Sequence, residues 1–396
     1  MRILTLCYEY PPVGGGGGVV CQGVAQALVR AGHTVDVVTG KMKGLASHEV
    51  DHGVGVHRVR CVRPHPHYTT AAQLATMLPG LYARARALHR AKPYDLCHCH
   101  FVIPSGVVAY ALLKTDGLPY VVTAHGSDVP GYNPDRFGRL HPLVHPMWRR
   151  IVHAASAITS PSKHLEGLIH ERIDVPVRVI PNGFDPPTFP KAERKNRILV
   201  ATRMFERKGV QFVIRALAGM DTDWEVCVIG DGPYLPTLKK LASSLGVKVN
   251  FLGMIPRDEL QRYYATSRLF VFTSSQENFP MVLLEAMAGG CAVVTSSTSG
   301  CAEVGSGAAV LVEPENELAL RDTLSRLLRD DVAIERHARL GVDRVAQFGW
   351  DRIASEFAAL FQENSGGRFR AKTNVVEIKK LEPQPWNRRR ASPRIR

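Results

Sequence analysis

Short apolar runs alternate with longer segments of helical periodicity along most of the chain. In the first half, strand-like runs fall at residues 3–7, 35–39, 96–101, 120–123 and 157–160. Between them, segments such as 20–31 and 73–91 repeat apolar residues at intervals of three and four, as one face of a helix does. This alternation of strands and helices predicts βαβ units and a parallel sheet.

The same alternation starts again after the turn-rich segment 181–190, which is typical of a linker. Strands are predicted at residues 198–201, 224–229, 249–252, 269–273, 292–295 and 309–312, and helices at 210–218, 235–245, 257–265, 282–289 and 317–328. The predicted fold class is therefore α/β, with two doubly wound parallel-sheet domains.

We place the first domain at residues 1–185 and the second at 190–348. A last helix, 350–363, is expected to pack back on the first domain, and residues 365–396 are expected to form a disordered basic tail. Ligands of doubly wound sheets bind beyond the carboxyl ends of the strands. Two such domains facing each other therefore predict a ligand in the cleft between them.

Composition is that of an ordinary globular protein. Apolar residues make up 45% and charged residues 22% of the chain, and no apolar run approaches the ~20 residues of a membrane-spanning helix. The N-terminus has strand character and lacks the features of a signal peptide, so a cytoplasmic location is expected. The eight cysteines are scattered in mostly apolar runs, as small buried thiols are.

The net charge of +14 is unevenly distributed. Residues 1–190 hold 19 basic and 12 acidic side chains, residues 191–364 hold 21 and 22, and residues 365–396 hold 10 and 2. Besides simple solubility, an anionic membrane surface or a phosphorylated substrate explains the basic regions. The segment 141–152 mixes Trp, apolar and basic residues, which favours peripheral membrane attachment. Nucleic acid is not expected, because aromatic residues, at 7%, do not interleave with clustered charge.

No metal or other cofactor is expected. The segment Cys97-His98-Cys99-His100 invites interpretation as a metal site. It lies on a predicted strand, however, where successive side chains point to opposite faces. Four ligands therefore cannot converge from this segment alone, and ordinary strand packing is the favoured interpretation.

Five consecutive glycines follow the first strand and precede a helix: Gly14, Gly15, Gly16, Gly17 and Gly18. Glycine lets the backbone approach a ligand closely, and a helix N-terminus favours an anion. The segment therefore predicts contact with an anion or a sugar. Tight strand-to-helix turns also use glycine for structural reasons, which is the alternative.

Two cations, Arg203 and Lys208, lie between the strand at 198–201 and the next helix, with Arg207 beside them. Cations beyond the carboxyl end of a strand can clamp a diphosphate, arginine through its planar fork. On charge alone, a solvated surface loop is the alternative.

A pair of glutamates, Glu277 and Glu285, follows the strand at 269–273. The amides of the loop between them can face an anion at a helix N-terminus. Glu285 lies within an apolar run, where a carboxylate is costly unless it has a partner. A ribose diol is a suitable partner.

Together these segments resemble the retaining nucleotide-sugar glycosyltransferases of family 4, which have the GT-B fold. The resemblance covers about residues 1–363. It is carried, in the family's order, by YEYPPVGGGGG, RAGHTVDVVTG, DLCHCH, TAHGSD, IPNGFD, ATRMFERKG, VIGDGP, FLGMIP and ENFPMVLLEAMAGG. Two glutamates eight residues apart are a loose pattern, but nine segments in one order are highly specific.

The resemblance implies a role for each matched position. The catalytic residues would be Glu277, Arg203, Lys208 and His125, with the two cations on the donor diphosphate and the other two at the donor sugar. The donor-binding residues would be Glu285, Asn278, Phe279, Met281, Met254, Ile255, Gly14, Gly15, Gly16, Gly17 and Gly18. Among these, Glu285 would hold the ribose, and Met254 and Ile255 would lie near the base.

Three features depart from the family's pattern or compete with it. The family's usual E-G-F-G is here Glu277-Asn278-Phe279-Pro280, which removes an amide donor at the proline. A later Gly-Gly-x-x-Glu is Gly300-Cys301-Ala302-Glu303. Asp221-Thr222-Asp223 matches the D-x-D of metal-dependent transferases of another fold, but we interpret it as a surface turn.

The implied activity is transfer of a sugar, with retention and without a metal, from a UDP- or GDP-linked donor to a hydroxyl acceptor. A lipid-linked or glycan acceptor is expected, as in the synthesis of glycolipids, polysaccharides or other envelope glycans. A nucleotide-sugar epimerase on the same fold and a non-catalytic sugar-nucleotide-binding protein are the alternatives.

Overall fold

Each half of the chain folds around its own sheet in a computed structural model that describes residues 1–66, 68–130, 132 and 141–365. The predicted basic tail lies outside the described residues, apart from residue 365. None of the described helices is both long enough and apolar enough to cross a membrane.

The first domain is an eight-stranded sheet flanked by helices. Its strands are β1 (Arg2–Leu6), β2 (Thr34–Gly40), β3 (His48–Asp51), β4 (Val54–Val59), β5 (Leu96–His100), β6 (Tyr120–Thr123), β7 (Ala157–Ser160) and β8 (Val177–Val179). Its helices are α1 (Gly16–Arg30), α2 (Ala71–Ala91), α3 (Ser105–Asp116), α4 (His141–Ala154) and α5 (Lys163–His170). The strand order is β3-β4-β2-β1-β5-β6-β7-β8, and only β3 runs antiparallel to its neighbour.

The second domain repeats this plan with six parallel strands. They are β9 (Lys195–Ala201), β10 (Glu225–Ile229), β11 (Asn250–Gly253), β12 (Ser267–Phe272), β13 (Ala292–Ser296) and β14 (Val310–Val312). The helices are α6 (Val210–Leu217), α7 (Leu235–Ser244), α8 (Arg257–Thr266), α9 (Met281–Ala288), α10 (Ser299–Gly305), α11 (Glu317–Leu327) and α12 (Asp331–Val345). The strand order is β11-β10-β9-β12-β13-β14.

Strand β9 explains why the second sheet is covered on both faces. Side chains of a strand alternate between faces, and the second half of β9, from Ile198 to Ala201, is apolar on both. Ile198 and Val200 pack into one buried cluster, while Leu199 and Ala201 pack into another. The two predicted doubly wound parallel sheets are thereby confirmed.

The chain returns to the first domain through a last helix, α13 (Trp350–Ser365). The ring of Trp350 lies against two glycines, since a Cβ would come within 2.3 Å of it at Gly23 and within 2.2 Å at Gly183. Farther along the helix, Phe357 and Phe361 join the core of the first domain. Small residues on α1 and the linker thus form the surface on which α13 packs.

Three strands of the first domain escaped the sequence analysis: β3, β4 and β8. β3 and β8 lie at the two edges of the sheet, and neither contains a buried residue. Because edge strands bury little, their sequences lack the continuous apolar run that marks a central parallel strand. β4 is mostly buried, but polar His57 and Arg58 interrupt its apolar run.

Candidate active site

The carboxyl ends of strands from both domains meet through a few direct contacts. The Asn278 side chain donates a hydrogen bond to the His125 carbonyl oxygen over 3.0 Å and accepts one from the Ser162 hydroxyl over 2.7 Å. Gln276 donates to the carbonyl oxygen of Tyr132. The second domain therefore presents its segment 276–278 directly to the first domain's 125 loop.

Lys208 and Glu277 form a partly buried ion pair in the second domain. The Lys208 ammonium contacts one carboxylate oxygen of Glu277, and the Ser274 hydroxyl donates to the same oxygen over 2.7 Å. Their side chains are only 10% and 13% exposed, respectively. A charged pair this close, in so little water, holds both groups in fixed positions.

The turn that carries Lys208 depends on Gly209. This residue has a φ of +74°, and a Cβ would lie 2.3 Å from the Thr273 carbonyl oxygen at the end of β12. Glycine therefore allows the turn at Glu206–Lys208 to pack directly on β12. That packing brings Lys208 to Glu277, 69 residues later in the chain.

Arg203 differs from Lys208 in being exposed. Its guanidinium lies 5.9 Å from the centre of the Phe205 ring, and that of Arg207 lies 5.8 Å from the same ring. Among the described residues, no carboxylate lies within ion-pair distance of Arg203. Its charge is therefore available to a ligand anion.

Within the part of the chain that the structure describes, no cation lies within ion-pair distance of the Glu285 carboxylate. It lies half-buried on α9 and accepts a hydrogen bond from the Tyr264 hydroxyl over 3.2 Å. Burial raises its pKa, while Arg257 and the Tyr264 hydrogen bond act in the opposite direction. A further hydroxyl donor would stabilise a half-buried carboxylate of this kind.

The remaining residues predicted to bind the donor have varied surroundings. Asn278 is buried, and its side chain is engaged between the domains, so only its backbone could serve a donor. The Phe279 ring packs edge to face on Phe348, with 5.6 Å between ring centres. Met281 and Ile255 are half-buried, whereas Met254 is 75% exposed.

The glycine segment of the first domain surrounds an acidic residue that the sequence analysis missed. The Gly15 amide donates to the Glu9 carboxylate over 2.6 Å. A Cβ at Gly14 would lie 2.3 Å from the same carboxylate, and a Cβ at Gly17 would lie 2.2 Å from the Phe101 ring. The glycines therefore fit Glu9 and Phe101 closely, and one of their amides already binds a carboxylate.

Three histidines cluster at the ends of β5 and β6. The rings of His98 and His100 lie 4.2 Å apart on one face of β5, and His100 Nδ1 lies 3.0 Å from His125 Nε2. Burial lowers the pKa of His125 to about 3, and burial together with His125 lowers that of His98 to about 3. Burial likewise lowers the pKa of His100 well below its ordinary value. This cluster is therefore neutral at pH 7.

Asp128 holds the His125 loop in place. Its carboxylate accepts hydrogen bonds from the backbone amides of Val102, over 2.7 Å, and His125, over 2.9 Å. Burial raises its pKa to about 6, although the backbone hydrogen bonds lower it. The sequence analysis did not single out Asp128, because no local pattern distinguishes it from an ordinary acidic residue.

Glu303, at the end of the altered glycine motif, contacts the first domain. Its two carboxylate oxygens accept from the backbone amides of Lys163, over 2.7 Å, and His164, over 2.8 Å, at the start of α5. Gly300 is needed sterically, since a Cβ there would lie 1.9 Å from the Asn278 carbonyl oxygen. This motif therefore joins the domains and supports the 277–278 loop.

The two possible metal motifs have ordinary surroundings. Asp221 and Asp223 are exposed and flank Thr222, whose hydroxyl accepts from the Trp224 amide over 3.2 Å. Within the described ranges, no three His, Cys, Asp or Glu side chains are grouped so as to hold a metal ion.

Comparison with known proteins assigns the class. Residues 14–187 match the family described as Glycosyltransferase Family 4, and residues 183–342 match that described as Glycosyl transferases group 1. An uncharacterized glycosyltransferase of Methanocaldococcus jannaschii is 31% identical over 332 residues, covering 77% of this chain and 82% of the relative. The N-acetyl-alpha-D-glucosaminyl L-malate synthase of Bacillus anthracis is 26% identical over 365 residues, covering 86% and 90%.

Solved structures agree on the fold. Sucrose-phosphate synthase of Thermosynechococcus elongatus superposes with a TM-score of 0.77 at 23% identity, covering 92% of this chain and 98% of its own. HepE of Anabaena, solved with UDP, has a TM-score of 0.73 at 20% identity, covering 92% and 100%. The protein is thus a glycosyltransferase with the GT-B fold. More narrowly, the chain belongs to glycosyltransferase family 4.

Proposed function

We propose that the enzyme transfers a sugar from a nucleoside-diphosphate donor to a hydroxyl acceptor with retention of anomeric configuration and without a metal. One observation carries this proposal. Arg203, Lys208 and Glu277 lie beyond strand ends of one domain, where a doubly wound sheet binds its ligand, and Glu285 lies on the helix that follows Glu277. The set offers cations for a diphosphate and carboxylates for sugar hydroxyls.

The donor would lie along this charged edge. Arg203 and Lys208 would stabilise the leaving diphosphate, which makes a metal cation unnecessary there. Glu277 would contact the donor sugar and Glu285 the ribose. We take UDP as the first nucleotide to test, since HepE of Anabaena was solved with UDP and with UDP-glucose.

The acceptor would approach from the first domain, beside His125. A neutral histidine next to His100 and Phe101 can donate or accept a hydrogen bond without adding charge. We propose that the departing phosphate takes the proton of the acceptor hydroxyl during attack on the same face. His125 would then orient the sugar rather than act as the base.

The stereochemistry and the metal independence can be tested together. Proton NMR of the earliest product from an α-linked donor, in excess EDTA, should show an α-linked product. A β-linked product, or activity abolished by EDTA and restored by magnesium or manganese, overturns this mechanism.

The donor base can be found by thermal shift with UDP, GDP, ADP and their sugars. A ligand at 100 times its dissociation constant should stabilise the fold by ~2.7 kcal/mol. Binding of a nucleotide sugar without turnover in any acceptor mixture would favour the non-catalytic alternative. Conversion of the donor sugar to its epimer would favour an epimerase.

We also propose a cytoplasmic enzyme that works at an anionic membrane surface. On α4, Leu143 is 77% exposed, and Arg149 and Arg150 are exposed near it. Each basic residue near an anionic surface contributes ~1 kcal/mol. The enzyme should pellet with anionic but not neutral vesicles, and salt should release it. Equal binding to both vesicle types, or binding to neither, contradicts the proposal.

A further inference from the structure

An apolar cavity of about 270 Å³ lies within the first domain. Helices α2, α3 and α4, the end of β1 and the segment 127–130 form its walls. Most of the lining side chains are apolar, among them Leu74, Leu78, Ile103, Val107, Met147 and Trp148. Its size is close to the lower end of the roughly 300–1,000 Å³ typical of ligand pockets.

The cavity is not sealed by its own side chains. Leu78, Ile103, Val107 and Met147 are only half-buried although they line it. Ala75, one turn from Leu78 on α2, is exposed at its rim. Apolar surface left in water in a concave site is surface that a ligand's hydrocarbon would cover.

One aromatic layer separates this cavity from the reaction cleft. Tyr8, in the cavity wall, packs on Phe101 with 4.7 Å between ring centres, and Phe101 packs on His125 at 4.3 Å. Asp128, also in the wall, accepts from the His125 amide. The cavity and His125 are thus one ring layer apart, and the tail of a molecule with its head beside His125 would enter around this layer, through the exposed rim.

We propose that the acceptor is an amphiphile whose hydroxyl-bearing head lies in the cleft and whose hydrocarbon chain occupies this cavity. The proposal rests on the proposed transfer to a hydroxyl acceptor. A glycan chain is disfavoured as occupant, because its hydroxyls need many hydrogen-bond partners. Ser127 and Asp128 carry the main polar side chains of the wall, and both Asp128 oxygens already accept from backbone amides.

Trp148 offers a direct readout, since its ring lines the cavity. The probe is dodecyl β-glucoside brominated at its chain end, kept below its micelle-forming concentration, with methyl β-glucoside as the chainless comparison. Bromine quenches tryptophan fluorescence on contact. The alkyl probe should quench saturably, and the methyl glucoside should neither quench nor compete.

A matched pair of variants on α2 tests whether the alkyl probe binds in the cavity. Ala75→Phe adds a ring at the rim of the cavity, whereas Ala72→Phe adds the same ring at an exposed position that does not line it. Ala75→Phe should weaken the alkyl probe about tenfold, and Ala72→Phe should bind it like the wild type. Both should bind UDP as the wild type does.

The proposal is overturned if the wild type binds the alkyl and methyl glucosides equally, or if Ala75→Phe binds the alkyl probe undiminished. Loss of probe binding in both variants also overturns it, since the site would then not be this cavity. The UDP measurement keeps the two proposals apart. A wild-type enzyme that binds the alkyl probe but no nucleotide sugar contradicts the proposed function and leaves the cavity assignment standing.

Discussion

The two domains share a doubly wound architecture but present opposite chemistry at their strand ends. The first offers neutral histidines and aromatic rings, represented by His98, His125 and Phe101. The second offers charge, with the exposed Arg203 and the paired Lys208. The shared fold therefore determines where a ligand binds, while the side chains at the strand ends determine which ligand each domain can take.

Packing explains the difference. Phe357 and Phe361 of α13 lie 5.1 and 5.0 Å from the His98 ring and exclude water from that end of β5. In the second domain, Lys208 is buried against Glu277, but Arg203 is exposed and keeps its hydration. A dry, neutral edge suits an uncharged reacting hydroxyl, and a hydrated cationic edge suits a diphosphate.

The largest expected effect comes from removing the exposed cation. Arg203→Ala should lower kcat by ~10²–10³-fold, because negative charge on the leaving diphosphate grows toward the transition state. Steady-state kinetics with a saturating donor measures the loss. Lys240→Ala, which removes an exposed cation from α7, serves as the control and should keep wild-type kinetics. If the two variants behave alike, the second domain's charge does not serve catalysis.

Glu277→Gln should lower kcat by about 100-fold and raise the donor KM less. Positive charge develops at the sugar as its bond stretches, so a carboxylate there interacts most strongly in the transition state. The change also leaves Lys208 without its ionic partner. Circular dichroism must first establish that the variant is folded. A near-normal kcat would show that the sugar does not lie beside Glu277.

Glu285→Gln should instead raise the donor KM by about 10-fold, with kcat nearly unchanged. Its hydrogen bonds to a ribose would be similar in the ground and transition states, and a charged hydrogen bond is worth ~1.5–3 kcal/mol. Kinetics over a wide donor range separates the two constants. A loss of kcat at constant KM would contradict this assignment and would indicate that Glu285, rather than Glu277, lies beside the donor sugar.

Much of the fold could be predicted because its signal is local. Central parallel strands need continuous apolar runs, and those of β9 and β12 were visible in the sequence. The Lys208–Glu277 ion pair could not be derived from the residues, since it joins groups 69 positions apart through the packing of Gly209 on β12. The side chain of Asn278 likewise turned out to join the domains, a contact that no local pattern encodes.

The apolar cavity and the role of Glu9 were missed for the same reason. Each depends on how distant segments pack, and each residue involved has an ordinary local explanation. Glu9 precedes a glycine run whose natural interpretation is anion binding, yet its carboxylate already accepts from the Gly15 amide. The sequence motifs predicted these loops as binding segments but did not show which groups already contact their amides.

The last expected effect is on the stability of the fold as pH changes, and it should distinguish the first domain from the second. The folded-state pKa values of His98 and His125 are about 3, below the unfolded value of about 6.5. Between these values the unfolded chain binds protons that the folded chain does not. The free energy of unfolding should therefore fall as pH is lowered, by ~1.4 kcal/mol per histidine between pH 8 and pH 5.5. Asp128 acts in the opposite direction, because its folded pKa of about 6 exceeds its unfolded one. Its contribution to stability is greatest below pH 4 and is lost as pH rises through 6.

Urea unfolding at pH 8, 6.5 and 5.5 measures the slope, and hydrogen exchange assigns it to a domain. Amides of β5 and β6 should lose protection on acidification before those of β9 and β12, because the buried neutral histidines lie in the first domain. Asp128→Asn should steepen the loss between pH 6 and 4 by removing the opposing proton uptake. If stability is unchanged or rises from pH 8 to 5.5, the histidines are not held neutral by the fold. If both sheets lose protection together, the contrast between a dry, neutral edge and a hydrated, charged one does not extend to their stability.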